Sequence, residues 1–321
     1  MSQKKKLSKI MLATVITVGV ALVFLAAILI TNIFIPVKYL SAYINFGSDK
    51  PQKDEMRISF IDVGAGDCTL LELPDGKVAL IDGGSGSYNN QIKIFKTLNS
   101  FGIDKIDYLF CTSSSAKRCG GLAEIVKYKQ IDKVFAPIYK NSGISQAYRD
   151  FRKEVKNKNT AISECVYGAG EYNRYYGYSF CVLYPEKSTT DGEYDSVSST
   201  SLWISYGGVN ILLLGDMSAS ELRNFYEAYT VTGFDMGEGS INLEECTVVK
   251  AANGGKESGV YARLYDLIKA ETAIISTNEE PALALIANLE VYASDNIYRT
   301  DKHGTVTLSI SGGTYSVKKE R

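Results

Sequence analysis

Apolar and polar positions alternate along this chain in three regimes. From Ile10 to Ile30 no residue is charged, and only Thr14, Thr17 and Gly19 interrupt the apolar run. At about 1.5 Å rise per residue, such a helix crosses a hydrocarbon core of roughly 30 Å. Lys4, Lys5, Lys6 and Lys9 precede it. The positive-inside tendency puts the basic tail (1–9) in the cytoplasm, the anchor over 10–37 and everything later outside the cell membrane, a single-pass arrangement. A cleaved signal would have a shorter apolar run and a small-residue cleavage site. Residues 38–55 read as a linker, because Asn45 to Glu55 mixes Gly, Pro and both charge signs. One domain is expected over 56–321.

Within that domain the period shifts between two and 3.6. Arg57 to Val63, Cys68 to Leu73 and Lys77 to Ile81 read as strands joined by Gly64-Ala65-Gly66-Asp67 and Pro74-Asp75-Gly76, an opening hairpin array and not a βαβ unit. Asn90 to Phe101 carries Ile92, Phe95 and Leu98 on one helical face, and Gly102 ends it. Strands follow at Ile106 to Cys111 and Ile131 to Ala136, with helices at Leu122 to Tyr128, Tyr148 to Lys158 and Tyr261 to Ile268. Ser198 to Asp216 contains two strands around Gly207-Gly208, Ser218 to Tyr226 a helix, and Thr272 to Ser276 a strand.

Composition then narrows the function classes. At 45% apolar and 22% charged over 321 residues, the chain is globular and not disordered. Lys4, Lys5, Lys6, Lys9 and Lys38 are the only charges before Gly47; without those five of its 35 basic residues, the remainder carries about −6 against 36 acidic ones. An acidic domain lacks the clustered cations that bind phosphate backbones, so nucleic acid is not an expected partner. The basic helix (Arg149, Arg152, Lys153, Lys156, Lys158) is interrupted by Asp150 and Glu154 and reads as a solvated face.

Candidate chemistry centres on Leu109 to Gly121, LFCTSSSAKRCGG: a strand, a polar loop and a glycine pair opening a helix. With IDVGAGDCTLLELPDGKVALIDGG (from Ile61), SSTSLWISYGGVNILLLGD (from Ser198), CTVVKAANGGKES (from Cys246) and IYRTDKHGTVTLSI (from Ile297), it resembles the metallo-β-lactamase superfamily, most closely the hydrolase-like domain of ComEC-type DNA-uptake proteins. The resemblance runs from about Arg57 to Val317. It implies an α/β fold, a metallo-β-lactamase-like αββα four-layer sandwich, here preceded by one transmembrane helix, and a zinc-dependent hydrolase centre.

The ligands that the resemblance implies are not in the sequence. In the family the loop reads T-H-x-H-x-D-H-x-G-G; here Ser113, Ser115, Lys117 and Arg118 stand at its ligand positions. Asn253 and Gly254 stand at a second histidine pair, and Ala65 at a usual glutamine. Asp82 and Asp216 keep the places of a supporting and a bridging aspartate. The whole chain has one histidine, His303, expected in an exposed turn, whereas imidazole is the ligand that suits zinc in mixed sites. Asp67, Asp82 and Asp216 could converge as an all-oxygen Ca²⁺ or Mg²⁺ site. Lys117 and Arg118 oppose this, and are expected to pair with Asp82 or Asp216 in place of a metal; Asp216 alternatively bonds loop amides at its strand end.

Three further features complete the expectations. Ser114-Ser115-Ala116-Lys117 satisfies S-x-x-K, but no K-T-G partner exists and it follows a strand, so serine chemistry is not expected. The six cysteines show no C-x-x-C spacing; Cys165 with Cys181 is the pair to test for a disulfide, and buried thiols are the default elsewhere. Tyr167, Tyr172, Tyr175, Tyr176 and Tyr178 read as an ordinary β-hairpin, or as a surface for a protein partner or cell-envelope ligand. The expected function is a catalytically inactive, membrane-anchored extracytoplasmic domain that binds or scaffolds. The alternative is a phosphodiesterase-like or nuclease-like hydrolase, related to ComEC-type DNA uptake, with a non-standard metal site.

Overall fold

The computed structural model describes residues 2–34, 37–43, 50–139, 144–185, 199–235 and 240–321. Helix α1 (Ser2–Phe34) contains Met11–Ile30, of hydropathy 2.8, long and apolar enough to cross a membrane. A turn at Val37–Tyr39 and the short α2 (Leu40–Tyr43) follow. Over 38–43 these correct the linker expected over 38–55, of which 44–49 lie outside the described residues. Tyr39 and Ala42 are buried, with the Tyr39 ring 4.9 Å from Phe95 and 6.5 Å from Tyr128. The Asn99 side chain donates to the Ala42 carbonyl (3.0 Å) and the Tyr88 hydroxyl to that of Lys38 (2.9 Å). An aromatic at 39 and a small residue at 42 fill a groove that a solvated linker would leave open.

The first half builds one sheet. Strands β1 (Met56–Phe60), β2 (Thr69–Glu72) and β3 (Val78–Ile81) are antiparallel, joined by tight turns, as their alternation predicts. Helix α3 (Tyr88–Ser100) carries the chain over to the parallel β4 (Lys105–Phe110), α4 (Ala116–Cys119) and α5 (Leu122–Tyr128) to β5 (Gln130–Ala136), and α6 (Gln146–Asn157) to β6 (Ile162–Glu164). Of β5 only Val134 to Ala136 are buried; its first half lies outside the core. In α6, Tyr148, Phe151 and Val155 face inward at helical spacing and the lysines outward.

The second half builds the other sheet: β7 (Gly170–Asn173), β8 (Tyr178–Tyr184), β9 (Ser201–Tyr206) and β10 (Val209–Leu213) as an antiparallel meander. Beyond α7 (Ala219–Thr232) and a two-strand ribbon, β11 (Phe234–Asp235) with β12 (Ser240–Ile241), come the parallel β13 (Val248–Lys250), β14 (Thr272–Ile275) and β15 (Ile297–Arg299). Helices α8 (Ala262–Ile268) and α9 (Leu283–Ala293) cross between them. After α10 (Thr300–His303), β16 (Val306–Ser311) and β17 (Thr314–Lys319) return to the first sheet beside β1.

The sheets run β17-β16-β1-β2-β3-β4-β5-β6 and β15-β14-β13-β10-β9-β8-β7. Ile58, Phe60, Leu71 and Phe110 of the first meet Phe180, Leu202, Ile211 and Val248 of the second in one apolar layer. The opposite faces pack on helices: Leu80, Leu109 and Phe95 with α3, α5 and α6, and Leu212, Val249 and Leu264 with α7, α8 and α9. Every residue of β1 to β3 is buried, with Arg57 of β1 and Glu72 of β2 covered as an ion pair, and each fully buried large apolar side chain contributes about 1.5–3 kcal/mol. Helix, sheet, sheet and helix are the four layers of an αββα sandwich.

Cys165 lies in the inter-sheet layer, but Cys181 points to the α7 side of its sheet. Opposite faces of one sheet cannot be bridged, so the Cys165–Cys181 disulfide is excluded. All six cysteines are buried.

Candidate functional site

At one edge of the inter-sheet layer the strand ends and loops bring five charged side chains together. Asp67 comes from the turn before β2, Asp82 from the end of β3, Arg118 from α4, Asp216 from the turn after β10 and Lys250 from the end of β13. Lys250 shares the inward face with Val248, two residues earlier, so strand period alone aims it between the sheets. Asp67, Asp82, Arg118 and Lys250 are all buried, and Asp216 is largely so.

Arg118 organises the group. One guanidinium nitrogen donates to Asp67 Oδ2 and, at 3.2 Å, to Asp82 Oδ2; the other donates to Asp216 Oδ1 at 2.6 Å. Lys250 Nζ donates to the same Asp67 oxygen. Asp82 also accepts from the Thr112 amide (2.8 Å) and hydroxyl (2.6 Å), which holds its backbone at φ 63°, unusual for a residue with a side chain. Asp216 is anchored through its own N–H to Ser199 Oγ (2.6 Å). Its carboxylate accepts from Arg118 and not from loop amides; that amide role falls to Asp82.

Three carboxylates face two cations, and the titration shifts follow. Burial pushes the Asp82 carboxyl up to about 6, with Arg118 and the Thr112 bonds opposing and Asp67 adding to the rise. For Asp216 burial acts upward too, but Arg118 overrides it and the carboxyl falls below its ordinary value. Lys250 is lowered by burial, against the attraction of Asp67. Protonating Asp82 would make the cluster electroneutral, and its intermediate pKa reflects that balance.

Lys117 and Arg118 part company. The Lys117 side chain is exposed at the rim and only its carbonyl enters the frame, accepting from the Asp67 amide at 3.3 Å. The second cation of the cluster is not Lys117 but Lys250, a residue that the expectations did not include, and its partner is Asp67, not the Asp82 or Asp216 expected of Lys117. Its signal was there: a lysine on the inward register of a buried strand. Ser113 is buried with its hydroxyl accepting from the Ser115 amide (3.3 Å), and Ser115 caps α4. Asn253 and Gly254 turn through left-handed conformations (φ 49° and 60°), and the Asn253 amide donates to the Gly215 carbonyl at 2.8 Å. They line, with Lys117, Arg118, Asp216 and Lys256, a cleft of about 30 Å³. That volume holds no more than a few waters.

His303 does not line this cleft. It is half-buried in α10, its Nδ1 accepting from the Arg299 amide at 3.0 Å, which corrects its expected place in an exposed turn. Ser114 is buried with its amide on the Tyr139 hydroxyl (3.2 Å), while Lys117 faces solvent, so the S-x-x-K spacing assembles no nucleophile. The thiols of Cys111 and Cys119, at either end of the loop, lie against its backbone, donating to the Ser113 carbonyl (3.2 Å) and the Ser114 carbonyl (3.5 Å).

A metal does not fit these residues as they stand. Arg118 and Lys250 use the carboxylate oxygens that would bind a cation, no histidine is at the site, and fixed positive charge opposes another. Among the described residues no cluster of three His, Cys, Asp or Glu side chains has metal-holding geometry.

No family model and no curated protein matches the chain. Solved structures do. The E377D mutant of CmlA β-hydroxylase is 14% identical with a TM-score of 0.51, over 81% of this chain and 55% of that one, so this chain spans little more than half of it. The metallo-β-lactamase fold protein YhfI from Bacillus subtilis is 9% identical (TM-score 0.46, 82% and 100% covered). Tm1679, a metal-dependent hydrolase of the β-lactamase superfamily, is 10% identical (TM-score 0.48, 83% and 100% covered). The likeness is one of fold alone, a metallo-β-lactamase-like αββα sandwich.

Proposed function

We propose that this chain is a membrane-anchored, extracytoplasmic member of the ComEC-like branch of the metallo-β-lactamase fold. Its catalytic centre has been replaced by a salt-bridge cluster, and it works as a binding or scaffolding module. The observation that carries the reading is the Arg118 guanidinium bonded to Asp67, Asp82 and Asp216 at once, with Lys250 on Asp67. A guanidinium presents several donors in a plane, and so can join carboxylates from separate loops as a bridging ion would. The frame stays closed while Lewis acidity and metal-bound hydroxide are lost. What remains for function is the outer surface, which would face a protein or envelope partner.

Elemental analysis of the purified full chain, after incubation with Zn²⁺ and Mn²⁺ and exchange into metal-free buffer, tests this. The expected result is metal well below one ion per chain, an unchanged melting temperature and no hydrolysis of a generic phosphodiester. One or two retained ions would overturn it and favour the hydrolase reading, with Asp82 and Asp216 as ligands once Arg118 moves aside.

A further inference from the structure

We propose that the outer face of the second sheet carries a binding site for a neutral, hydroxyl-rich ligand, a mono- or disaccharide, between strands β7 to β9 and the β12 ribbon. Strand period sets Cys181 of β8 and Trp203 of β9 on that outer face with Leu212. Two cross-strand rows result: Gly170, Cys181, Trp203 and Leu212, then Tyr172, Ser179, Ser205 and Asn210. Helix α7 and its neighbours cover the Leu212 end. At the other end a glycine, a cysteine and two serines leave a depression, walled by Ile241 of β12 and by Asn242 and Glu245 of the turn that follows. The cavity measures about 450 Å³, within the roughly 300–1,000 Å³ of small-molecule sites.

Its polar groups are held in place but not used up. Trp203 is only 4% exposed, yet its indole N–H has no acceptor among the described residues. Asn210 Nδ2 donates to the Glu245 carbonyl (3.1 Å), which fixes the amide and leaves Oδ1 open. Glu245 Oε1 accepts from Asn242 Nδ2 (3.3 Å) and leaves Oε2 open. The half-buried hydroxyls of Ser179 and Ser205 have no partner among the described residues either. This set selects by charge and by hydrogen-bond type. No Lys, Arg or His among the described residues lines the cavity, whereas Glu171 and Glu245 do, so an anion would be repelled. A simple cation would satisfy Glu245 but brings no acceptor for the Trp203 N–H, which would then be buried unpaired. Sugar hydroxyls both donate and accept on one small framework. They can meet a carboxylate, an amide oxygen, two hydroxyls and an indole N–H together. The site gives the binding role proposed above a ligand class, but it needs neither the membrane placement nor the loss of the metal centre, which lies on the other face of this sheet.

Trp203 is the single tryptophan of the chain, so its fluorescence reads occupancy of the cavity. The full chain, kept in a polyoxyethylene detergent so that no glycosidic detergent competes, would be titrated with glucose, galactose, N-acetylglucosamine, maltose and N,N′-diacetylchitobiose to about 20 mM. Choline chloride serves as the cationic comparison. The expected result is a saturable change with at least one sugar and none with choline. Ser205→Leu, which fills the floor, should weaken that sugar about tenfold or more at an unchanged melting temperature, and Trp203→Phe, followed by calorimetry, about fivefold or more. Glu245→Gln keeps an acceptor and removes the charge, and should weaken it less than about threefold. No saturable response to any sugar, an undiminished response in Ser205→Leu, or binding of choline that Glu245→Gln abolishes would overturn the proposal. Metal content is read separately on the same sample, so this site and the inactive-centre reading fail independently.

Discussion

Arg118 and Lys117 are neighbours with one charge each, and their expected energetic weights differ by an order of magnitude. Arg118 is buried among three carboxylates, so Arg118→Ala leaves uncompensated charge in a low dielectric, a loss of about 3–5 kcal/mol. Lys117 is solvated, and Lys117→Ala should stay within about 0.5 kcal/mol. Urea denaturation of both variants checks the contrast; equal destabilisation would mean that the cluster does not hold the site. Asp82 adds a pH signature. Its folded pKa of about 6 lies above the ordinary carboxylate value, so its contribution to stability is fully present below about pH 4 and is lost as pH rises through 6. The stability of the parent relative to Asp82→Asn should therefore fall by up to about 3 kcal/mol between pH 4 and 7. Asp216, held below its ordinary value by Arg118, acts the other way, and its contribution is lost only at more acid pH. Guanidinium hydrochloride titrations across that range separate the two. What was legible at this scale was opposite charge at the ligand positions; which cation turned inward was not, since one residue step around α4 decides it.

The loops of the site keep their shape through glycines that touch one another. A Cβ on Gly121 would collide with the Gly83 carbonyl and the Gln91 side chain, and one on Gly120 with the Ser85 backbone. The start of α5 and the loop after β3 thus pass at backbone distance, which brings Asp82 and Arg118 together and explains why Gly83 donates to the Arg118 carbonyl (2.7 Å). Gly121→Ala should cost more than about 3 kcal/mol or abolish soluble expression, because the Gly83 carbonyl is backbone and cannot swing aside as the Gln91 amide could. Gly76, in an open turn at φ 80°, meets nothing, and Gly76→Ala should cost only about 1 kcal/mol of backbone strain. Thermal melts of the pair decide whether backbone approach or turn conformation sets the requirement. Strands and turns were readable here because period two and glycine placement are local signals. The partner of Lys250 was not, since it comes from a loop 183 residues away.

Across the whole molecule, the apolar helix α1 and the domain meet through a segment that sequence patterning takes for a tether. Residues 38 to 43 look unremarkable because their apolar members form only two short pairs, Tyr39-Leu40 and Ala42-Tyr43, around Ser41, and precede a Gly- and Pro-containing stretch. Only the groove between α3 and α5 gives them a place. There Tyr39 joins the rings of Tyr88, Phe95 and Tyr128, and Lys38 pairs with Glu124 at 2.8 Å. The consequence concerns where the domain ends as a folding unit. A fragment beginning at Val37 keeps this packing, whereas one beginning at Lys50 exposes Phe95 and leaves the Asn99 amide without the Ala42 carbonyl. Loss of one buried aromatic costs about 3–5 kcal/mol, and for a domain of this size each kcal/mol lowers the melting temperature by roughly 2–4 °C. The shorter fragment should therefore melt about 6–20 °C lower, and Tyr39→Ala in the longer one should reproduce most of the difference. Equal melting temperatures would show that the segment is a tether after all, free to let the domain swing from its helix. A large difference would mean that the end of α1 is fastened to the α3–α5 face, so that helix and domain form one folding unit.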